Sequence, residues 1–158
     1  MVYDSAAGEC VLFGGWDFGH FTDVWTFGSD PIAVAEPFGV SCGPSLQANL
    51  PWLGDTLTFA VSGLPIGSAG TTLLFGIGRA SLPLDLIGMP GCELATPTAI
   101  ATAPMIGTGS TAAYSIPLAP TPSTIGITLV TQSLSAAPGA NALGVVTSNG
   151  LEITVGAR

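Results

Sequence analysis

Glycine and proline interrupt this sequence so often that long helices are excluded. The 158 residues include 22 Gly and 13 Pro, and a helix interior tolerates neither residue well. Hydrophobic residues make up 47% of the chain, which is too apolar for a disordered protein. A chain of this length forms one domain, or one domain with an appendage. These features predict a compact all-β protein.

Charged residues are scarce and mostly acidic. Two arginines, ten acidic residues and one histidine give a formal net charge of -8. Such a surface cannot neutralise phosphates and is not attracted to anionic lipid, so we expect no nucleic-acid partner. No charged residue occurs from Leu94 to Leu151. Prolines, serines and threonines break this stretch before any apolar run reaches spanning length, so no membrane insertion is expected.

The distribution of charge divides the chain into two segments. Residues 1–36 hold six of the ten acidic residues, two of the three tryptophans and the single histidine. Residues 37–158 are nearly uncharged and rich in Thr, Ser, Ala and Gly. Ser29-Asp30-Pro31 and Glu36-Pro37 bracket the join, which is typical of a linker. We therefore predict a short β segment with a linker over 1–36 and a β domain over 37–158.

The second segment contains short apolar runs that alternate with polar residues. Leu57, Phe59 and Val61 fall on one face of a predicted strand. Asn149-Gly150 predicts a tight hairpin between the last two strands, because such turns need positive φ values. The pattern favours a two-sheet antiparallel β-sandwich, of jelly-roll or immunoglobulin-like type, over a barrel. Strands are predicted at 56–61, 71–77, 84–87, 114–118, 125–130, 145–147 and 151–155.

The three cysteines predict one disulfide and one free thiol. Cys42 and Cys92 lie in turn-like settings at the edges of β segments. A bridge between them would close a loop of about 50 residues, worth roughly 4 kcal/mol in the chain-entropy model. Cys10 would then be free. The alternative is three buried thiols, which pack as small hydrophobic groups; the disulfide reading is compatible with a secreted protein.

The first 27 residues resemble a single kelch repeat of the bacterial kind. The residues that carry the likeness are Met1-Val2-Tyr3-Asp4, Gly8, Val11-Leu12-Phe13-Gly14-Gly15 and Asp23-Val24-Trp25-Thr26-Phe27. The resemblance implies that the run ending in the glycine pair is an inner strand of a propeller blade, and that Trp25 packs between blades. One repeat cannot bury its own faces. We therefore expect the segment to pair with the rest of the chain, with another chain or with further blades.

The second segment resembles a β-rich C-terminal domain of large secreted proteins from planctomycete-type bacteria, where it follows repeat domains. This likeness implies an accessory module, extracellular or at the cell surface, and implies no reaction. The residues that carry it are Cys42-Gly43, Leu53-Gly54-Asp55-Thr56, Leu74-Phe75-Gly76, Pro83-Leu84-Asp85-Leu86, Gly91-Cys92-Glu93-Leu94, Gln132, Gly139-Ala140-Asn141 and Ser148-Asn149-Gly150-Leu151.

The sequence offers little catalytic chemistry. His20 lies near Asp17 and Asp23, but no Gly-x-Ser-x-Gly motif accompanies them, so a loop histidine is favoured over a catalytic triad. The same three residues are weak candidates for metal ligands, with nothing to secure the geometry. Among the acids of the second segment, turn and surface roles are favoured over a catalytic pair of carboxylates, and Asp85 is a candidate partner for Arg79, the only internal base. No catalytic residue, metal or cofactor is predicted, and a hydrolase using His20 is the least favoured function.

Two binding functions remain. Trp52 and Trp16 are candidate stacking platforms for a glycan, with core packing as the alternative for Trp52. Outer faces of Thr, Ser and Gly leave edge strands without charge protection, although prolines near strand ends blunt them. The leading hypothesis is a non-catalytic secreted module, part of a larger surface protein, that mediates protein contact or self-association as a homo-oligomer. A carbohydrate-binding module is the alternative.

Overall fold

A computed structural model describes residues 2–4, 9–16, 20–28 and 32–157. The predicted all-β class is confirmed: helical structure in these ranges is limited to two short 3₁₀ turns, Asp85–Ile87 and Pro122–Thr124. Every strand pair between the named strands is antiparallel.

The N-terminal segment forms a small sheet of its own. Its strands are β1 (Val2–Asp4), β2 (Glu9–Trp16) and β3 (His20–Gly28), in the order β1-β2-β3. Phe13 on β2 lies opposite Val24 on β3, and both side chains are more than half exposed. A three-stranded sheet with an exposed apolar pair needs a further layer to cover it.

The remaining strands form one large sheet and one small ribbon. Their bounds are β4 (Val34–Phe38), β5 (Ser45–Ala48), β6 (Thr56–Ser62), β7 (Ala69–Ile77), β8 (Leu82–Pro83), β9 (Glu93–Leu94), β10 (Thr98–Thr108), β11 (Thr111–Pro117), β12 (Thr128–Ala136), β13 (Val145–Thr147) and β14 (Gly150–Thr154). The large sheet runs β4-β14-β12-β7-β10-β11-β6-β5, with β13 also paired to β12; β8 and β9 pair with each other.

The large sheet curls into a nearly closed barrel. Its two terminal strands, β4 and β5, lie beside each other, and Asn149 clips the gap. The Oδ1 atom of Asn149 accepts the Leu46 N–H at 2.9 Å, and its Nδ2 atom donates to the Leu46 carbonyl at 3.1 Å. One carboxamide thus satisfies the two β5 backbone groups that a neighbouring strand would bond. The predicted separation into two packed sheets is not confirmed, because β10 carries the ladder from one half to the other.

The core forms where the sequence alternation predicted it. Leu57, Phe59 and Val61 are all buried, which confirms that they share the inner face of β6. Phe59 meets Phe75 edge-to-face with ring centroids 5.8 Å apart, a favourable geometry for aromatic rings. The buried cluster is completed by Leu46, Leu64, Leu73, Met105, Ala112, Leu151 and Ile153.

Two predicted local structures are wrong. Residues 85–87 form a 3₁₀ turn rather than a strand, closed by Gly88 at a φ of 86°. The Asn149-Gly150 hairpin is absent, because β13 and β14 both pair antiparallel with β12 and therefore run in the same direction. The Asn149 side chain is engaged with Leu46 instead, and these long-range bonds override the local turn preference.

Three further differences from the sequence predictions concern a strand boundary, an unpredicted strand and the linker. The run predicted at 125–130 becomes β12 only from Thr128, because a 3₁₀ turn and Gly126, at a φ of 77°, precede it. The longest strand of the described residues, β10, has no prediction, since small residues and Pro104 dilute its apolar alternation. Glu36-Pro37, assigned to the linker, lies in β4, which pairs with β14. Proline is tolerated on such a terminal strand.

Candidate functional site

The candidate metal and catalytic residues of the first segment are not tested by the structure. Asp17 lies outside the described residues. Trp16, His20 and Asp23 lie on β2 and β3, and Trp16 pairs with His20 at the end of their ladder, but the placement of these side chains is also outside the description. Elsewhere in the described ranges, no group of three or more His, Cys, Asp or Glu side chains converges as metal ligands would.

Trp52 is held at one end of the barrel by backbone contacts on both sides. It forms an isolated bridge with Gly156, Leu53 N–H donates to the Gly156 carbonyl at 3.0 Å, and Gly156 N–H donates to the Pro51 carbonyl at 3.1 Å. The Trp52 side chain is half-buried. The packing alternative fits this setting, and the glycan-stacking role of Trp52 stays a prediction.

The predicted disulfide between Cys42 and Cys92 is confirmed, with Cα atoms 4.8 Å apart. It ties the β4–β5 connection to the residues that precede β9. The Thr147 N–H donates to Cys42 Sγ at 3.2 Å, and the Cys42 N–H donates to the Thr147 carbonyl at 3.2 Å. The bridge therefore fixes the chain just before the Asn149 clip. Cys10, on β2, is a free thiol.

The side chain of Gln132 hydrogen-bonds to the segment at β9, which lies over the outer face of β12. It is fully buried, and Oε1 accepts the Ala95 N–H at 3.0 Å. Its Nε2 atom donates to the carbonyls of Glu93 and Ser148, each at 2.8 Å. Every hydrogen-bonding direction used here ends on backbone, so Gln132 is a structural fastener rather than a reactive group.

Arg79 pairs with Glu152 and Glu36 and not with Asp85, the candidate partner named from the sequence. Its Nε and Nη2 atoms bind both carboxylate oxygens of Glu152 at 2.8 Å, and Nη2 also reaches Glu36 at 2.7 Å. Its guanidinium lies 4.8 Å from the ring centroid of Phe38. Asp85 instead accepts the Gly91 N–H at 3.1 Å. The geometry arises because Glu36 and Glu152 are direct cross-strand partners that need a shared cation.

The charges of this ion cluster stabilise one another. The hydrogen bonds from Arg79 lower the pKa of Glu152, and the bonds to Glu152 and then Glu36 raise the pKa of Arg79. A carboxylate held ionised in this way is a poor proton donor at neutral pH. The cluster therefore links β4 and β14 to the segment that follows β7.

A cleft opens where β10 and β11 part. The two strands pair only at 106–108 with 111–113. Before that point β10 follows β7, and beyond it β11 follows β6. The resulting space has a volume of about 560 Å³, and its lining is Pro104, Ile106, Ala113, Tyr114 and Ser115.

The cleft is apolar and its edges are blunted. Ile106 stands at its wall with 86% of its side chain exposed, and none of the lining residues is charged. Pro104 pairs with β7 and Pro117 pairs with β6, yet proline has no N–H to give to either partner. In an antiparallel ladder, a proline fits at positions where the backbone nitrogen points away from the partner strand. Both prolines therefore remove a donor from the strand edges that face the gap.

The sequence does not reveal this site. Its signals are a bulky apolar residue, Ile106, three residues before the turn at Gly109, and a proline two residues before Ile106. Neither signal indicates a cleft until β10 is known to leave β11, which depends on pairing with β7.

Comparison with known proteins adds no assignment. No protein-family model matches the chain, and no match was found among curated proteins or solved structures. Within the described residues, no helix has the length and apolar character needed to cross a membrane.

Proposed function

We propose that this chain is a non-catalytic secreted β module whose function is protein contact, and that the contact is self-association through the cleft between β10 and β11. The observation that carries the proposal is the exposure of Ile106, at 86%, on the wall of an uncharged cleft. Isolated exposed apolar residues are common on protein surfaces. Ile106 differs because Pro104, Ala113 and Tyr114 extend the apolar surface beside it.

The distribution of charge favours a second copy as the occupant. The formal net charge of -8 makes two copies repel each other over most orientations. The stretch from Leu94 to Leu151 has no charged residue, and it includes every residue that lines the cleft. Two copies that meet at this surface bring no like charges together at the point of contact.

The proline-blunted edges favour packing of side chains over addition of a strand. Strand addition needs a row of free backbone donors, and Pro104 and Pro117 interrupt that row. In a two-fold arrangement the Ile106 side chain of each copy would enter the cleft of the other. Burying an isoleucine contributes roughly 1.5–3 kcal/mol, and this arrangement buries two of them.

The setting of the module is part of the same proposal. The Cys42–Cys92 disulfide is consistent with an extracellular or cell-surface location. The kelch-like β1–β3 sheet, with its exposed Phe13 and Val24, fits a segment of a larger surface protein that packs on further layers. We also propose that, because β10 diverges from β11, the barrel is open on that side and its two halves pack there as the two layers of a sandwich.

Sedimentation equilibrium of the purified chain tests the proposal. The wild type is expected to dimerise between micromolar and about millimolar concentration, a range of weak contact free energies. Ile106→Thr should weaken the dimer by about tenfold or more, since each dimer loses two apolar contacts. Ile66→Thr is the matched control, because Ile66 is fully exposed in the turn between β6 and β7. A strict monomer at the highest concentration, or an equal effect of both variants, would contradict the proposal.

A further inference from the structure

Asn149, whose side chain bonds β5 across the gap in the barrel, also lies in the sequence setting that is most prone to deamidation. The sequence has three asparagines, Asn49, Asn141 and Asn149, and of these Asn149 alone precedes a glycine. A glycine leaves the following backbone nitrogen unhindered, which is what intramolecular attack on the asparagine amide requires. We propose that Asn149 is a site of spontaneous deamidation whose rate is set by opening of the seam between β5 and β14.

The reaction needs water and no other reagent. The Gly150 nitrogen attacks Cγ of Asn149, a C–N bond forms, and ammonia leaves with the proton that the nitrogen gives up. The resulting five-membered succinimide then takes up one water molecule. Opening at one carbonyl gives aspartate, and opening at the other gives isoaspartate, in which the main chain passes through the side-chain carbonyl. No group is oxidised or reduced.

The closed barrel holds the amide away from this reaction. Oδ1 of Asn149 is bonded to the Leu46 N–H at 2.9 Å and Nδ2 to the Leu46 carbonyl at 3.1 Å. Nδ2 also donates to the Gly150 carbonyl at 3.0 Å. Cγ can turn towards the Gly150 nitrogen only after both bonds to Leu46 break. The reaction is therefore limited to molecules in which the seam is locally open.

Packing explains why glycine follows Asn149 despite this hazard. A Cβ atom at Gly150 would lie 2.6 Å from Cζ of Phe38 and 2.7 Å from Cβ of Ala95. Both distances are well inside van der Waals contact, so a larger residue would force β14 away from Phe38 and Ala95. The close approach that lets β14 pair with β4 thus keeps the reactive dipeptide in place.

Deamidation makes the opening irreversible. The carboxylate of the product has no N–H, so it cannot donate to the carbonyls of Leu46 and Gly150 and would face two oxygens instead. Isoaspartate also lengthens the main chain between β13 and β14. The disulfide controls the first step, since Cys42 lies four residues before Leu46 and holds Thr147 through two hydrogen bonds. Reduction should loosen both sides of the seam.

Mass spectrometry of the full chain tests the proposal directly. The oxidised, the reduced and the urea-unfolded protein are incubated in mildly alkaline buffer, and deamidation is followed in the peptides that contain Asn149 and Asn141. We expect Asn149 in the oxidised folded chain to react about 100-fold more slowly than in the unfolded chain, with the reduced chain faster than the oxidised one. Equal rates in the folded and unfolded chains, or no effect of reduction, would overturn the proposal.

Hydrogen exchange gives a second readout that does not depend on the rate of deamidation. Asn149→Asp should speed exchange of the Leu46 amide, because the product side chain cannot rebuild the clip. Asn49→Asp is the matched control: it adds the same charge and also removes an Nδ2–carbonyl bond, to Thr56, at an exposed site. Unchanged protection of Leu46 in Asn149→Asp, or the same loss in Asn49→Asp, would refute the role of the clip.

Discussion

Replacing Gln132 by leucine should destabilise the protein more than any other single change in a polar side chain considered above. Gln132 is fully buried and satisfies the Ala95 N–H and the Ser148 carbonyl in the interior, and the Glu93 carbonyl at its margin. Leucine fills much of the same volume but leaves the Ala95 N–H and the Ser148 carbonyl without the side chain that binds them. The Glu93 carbonyl keeps the bond from Thr147 Oγ1 at 3.2 Å. An unsatisfied buried group costs about 1–3 kcal/mol, and the losses are not fully additive.

The expected loss of unfolding free energy is therefore about 2–5 kcal/mol, a large part of the roughly 5–15 kcal/mol that holds a domain together. Urea unfolding with the disulfide intact, followed by tryptophan fluorescence, measures it. Gln47→Leu is the control, since Gln47 is exposed on β5, and should change stability by less than about 0.5 kcal/mol.

A second substitution separates hydrogen bonding from shape. Gln132→Glu keeps an acceptor for the Ala95 N–H but turns a carboxylate oxygen towards two carbonyls, so it should be at least as damaging at neutral pH. An unfolding free energy of Gln132→Leu within about 1 kcal/mol of the wild-type value would show that the Gln132 side chain does not hold the Glu93 and Ala95 backbone in place.

Three further predictions follow from the bridge, the ion cluster and the tight packing of the sheet. Reducing Cys42–Cys92, 50 residues apart, should lower the unfolding free energy by about 4 kcal/mol in denaturant titrations; a loss under about 1 kcal/mol would contradict the chain-entropy account. Arg79 lowers the pKa of Glu152, so their pairing stabilises the fold above the ordinary glutamate pKa of about 4.3 and is lost as pH falls below it. Thermal melts against pH should show Glu152→Gln losing this part of the acid sensitivity, and an unchanged profile would refute it. Gly76→Ala should cost about 1–3 kcal/mol by urea unfolding, because its Cβ would lie 2.6 Å from a backbone oxygen of β10; a neutral change would show that the sheet relaxes there.

Local patterns predicted the parts of the fold that local chemistry decides. Leu57, Phe59 and Val61 alternate with Thr58 and Ala60. An alternation of period two is the pattern of a strand with one buried face. The turn settings of Cys42 and Cys92 likewise indicated a bridge that the structure confirms.

The features missed from the sequence depend on partners far along the chain. Asn149 bonds Leu46 across 103 positions, and a preference for a local turn gives no sign of that partner. Strand β10 is composed mostly of small residues, and its pairing with β7, rather than its own alternation, makes it a strand. The cleft beside Ile106 exists only because β10 leaves β11, so no local pattern could have indicated it.

The same dependence explains the charge partners. The sequence offers Asp85 as a candidate partner for Arg79 because Arg79 is the only internal base of the second segment. The register of β4 against β14 places Glu36 opposite Glu152, and two carboxylates at that distance attract the guanidinium more strongly than one.

Isoleucine-methyl NMR of the wild-type chain over a concentration series shows whether the uncharged cleft is the surface through which two copies meet. The methyl signals of Ile106 should move or broaden as concentration rises, while those of Ile66, in the turn between β6 and β7, should stay in place. Changes centred on Ile66 or Ile87 with Ile106 unaffected would contradict this proposal.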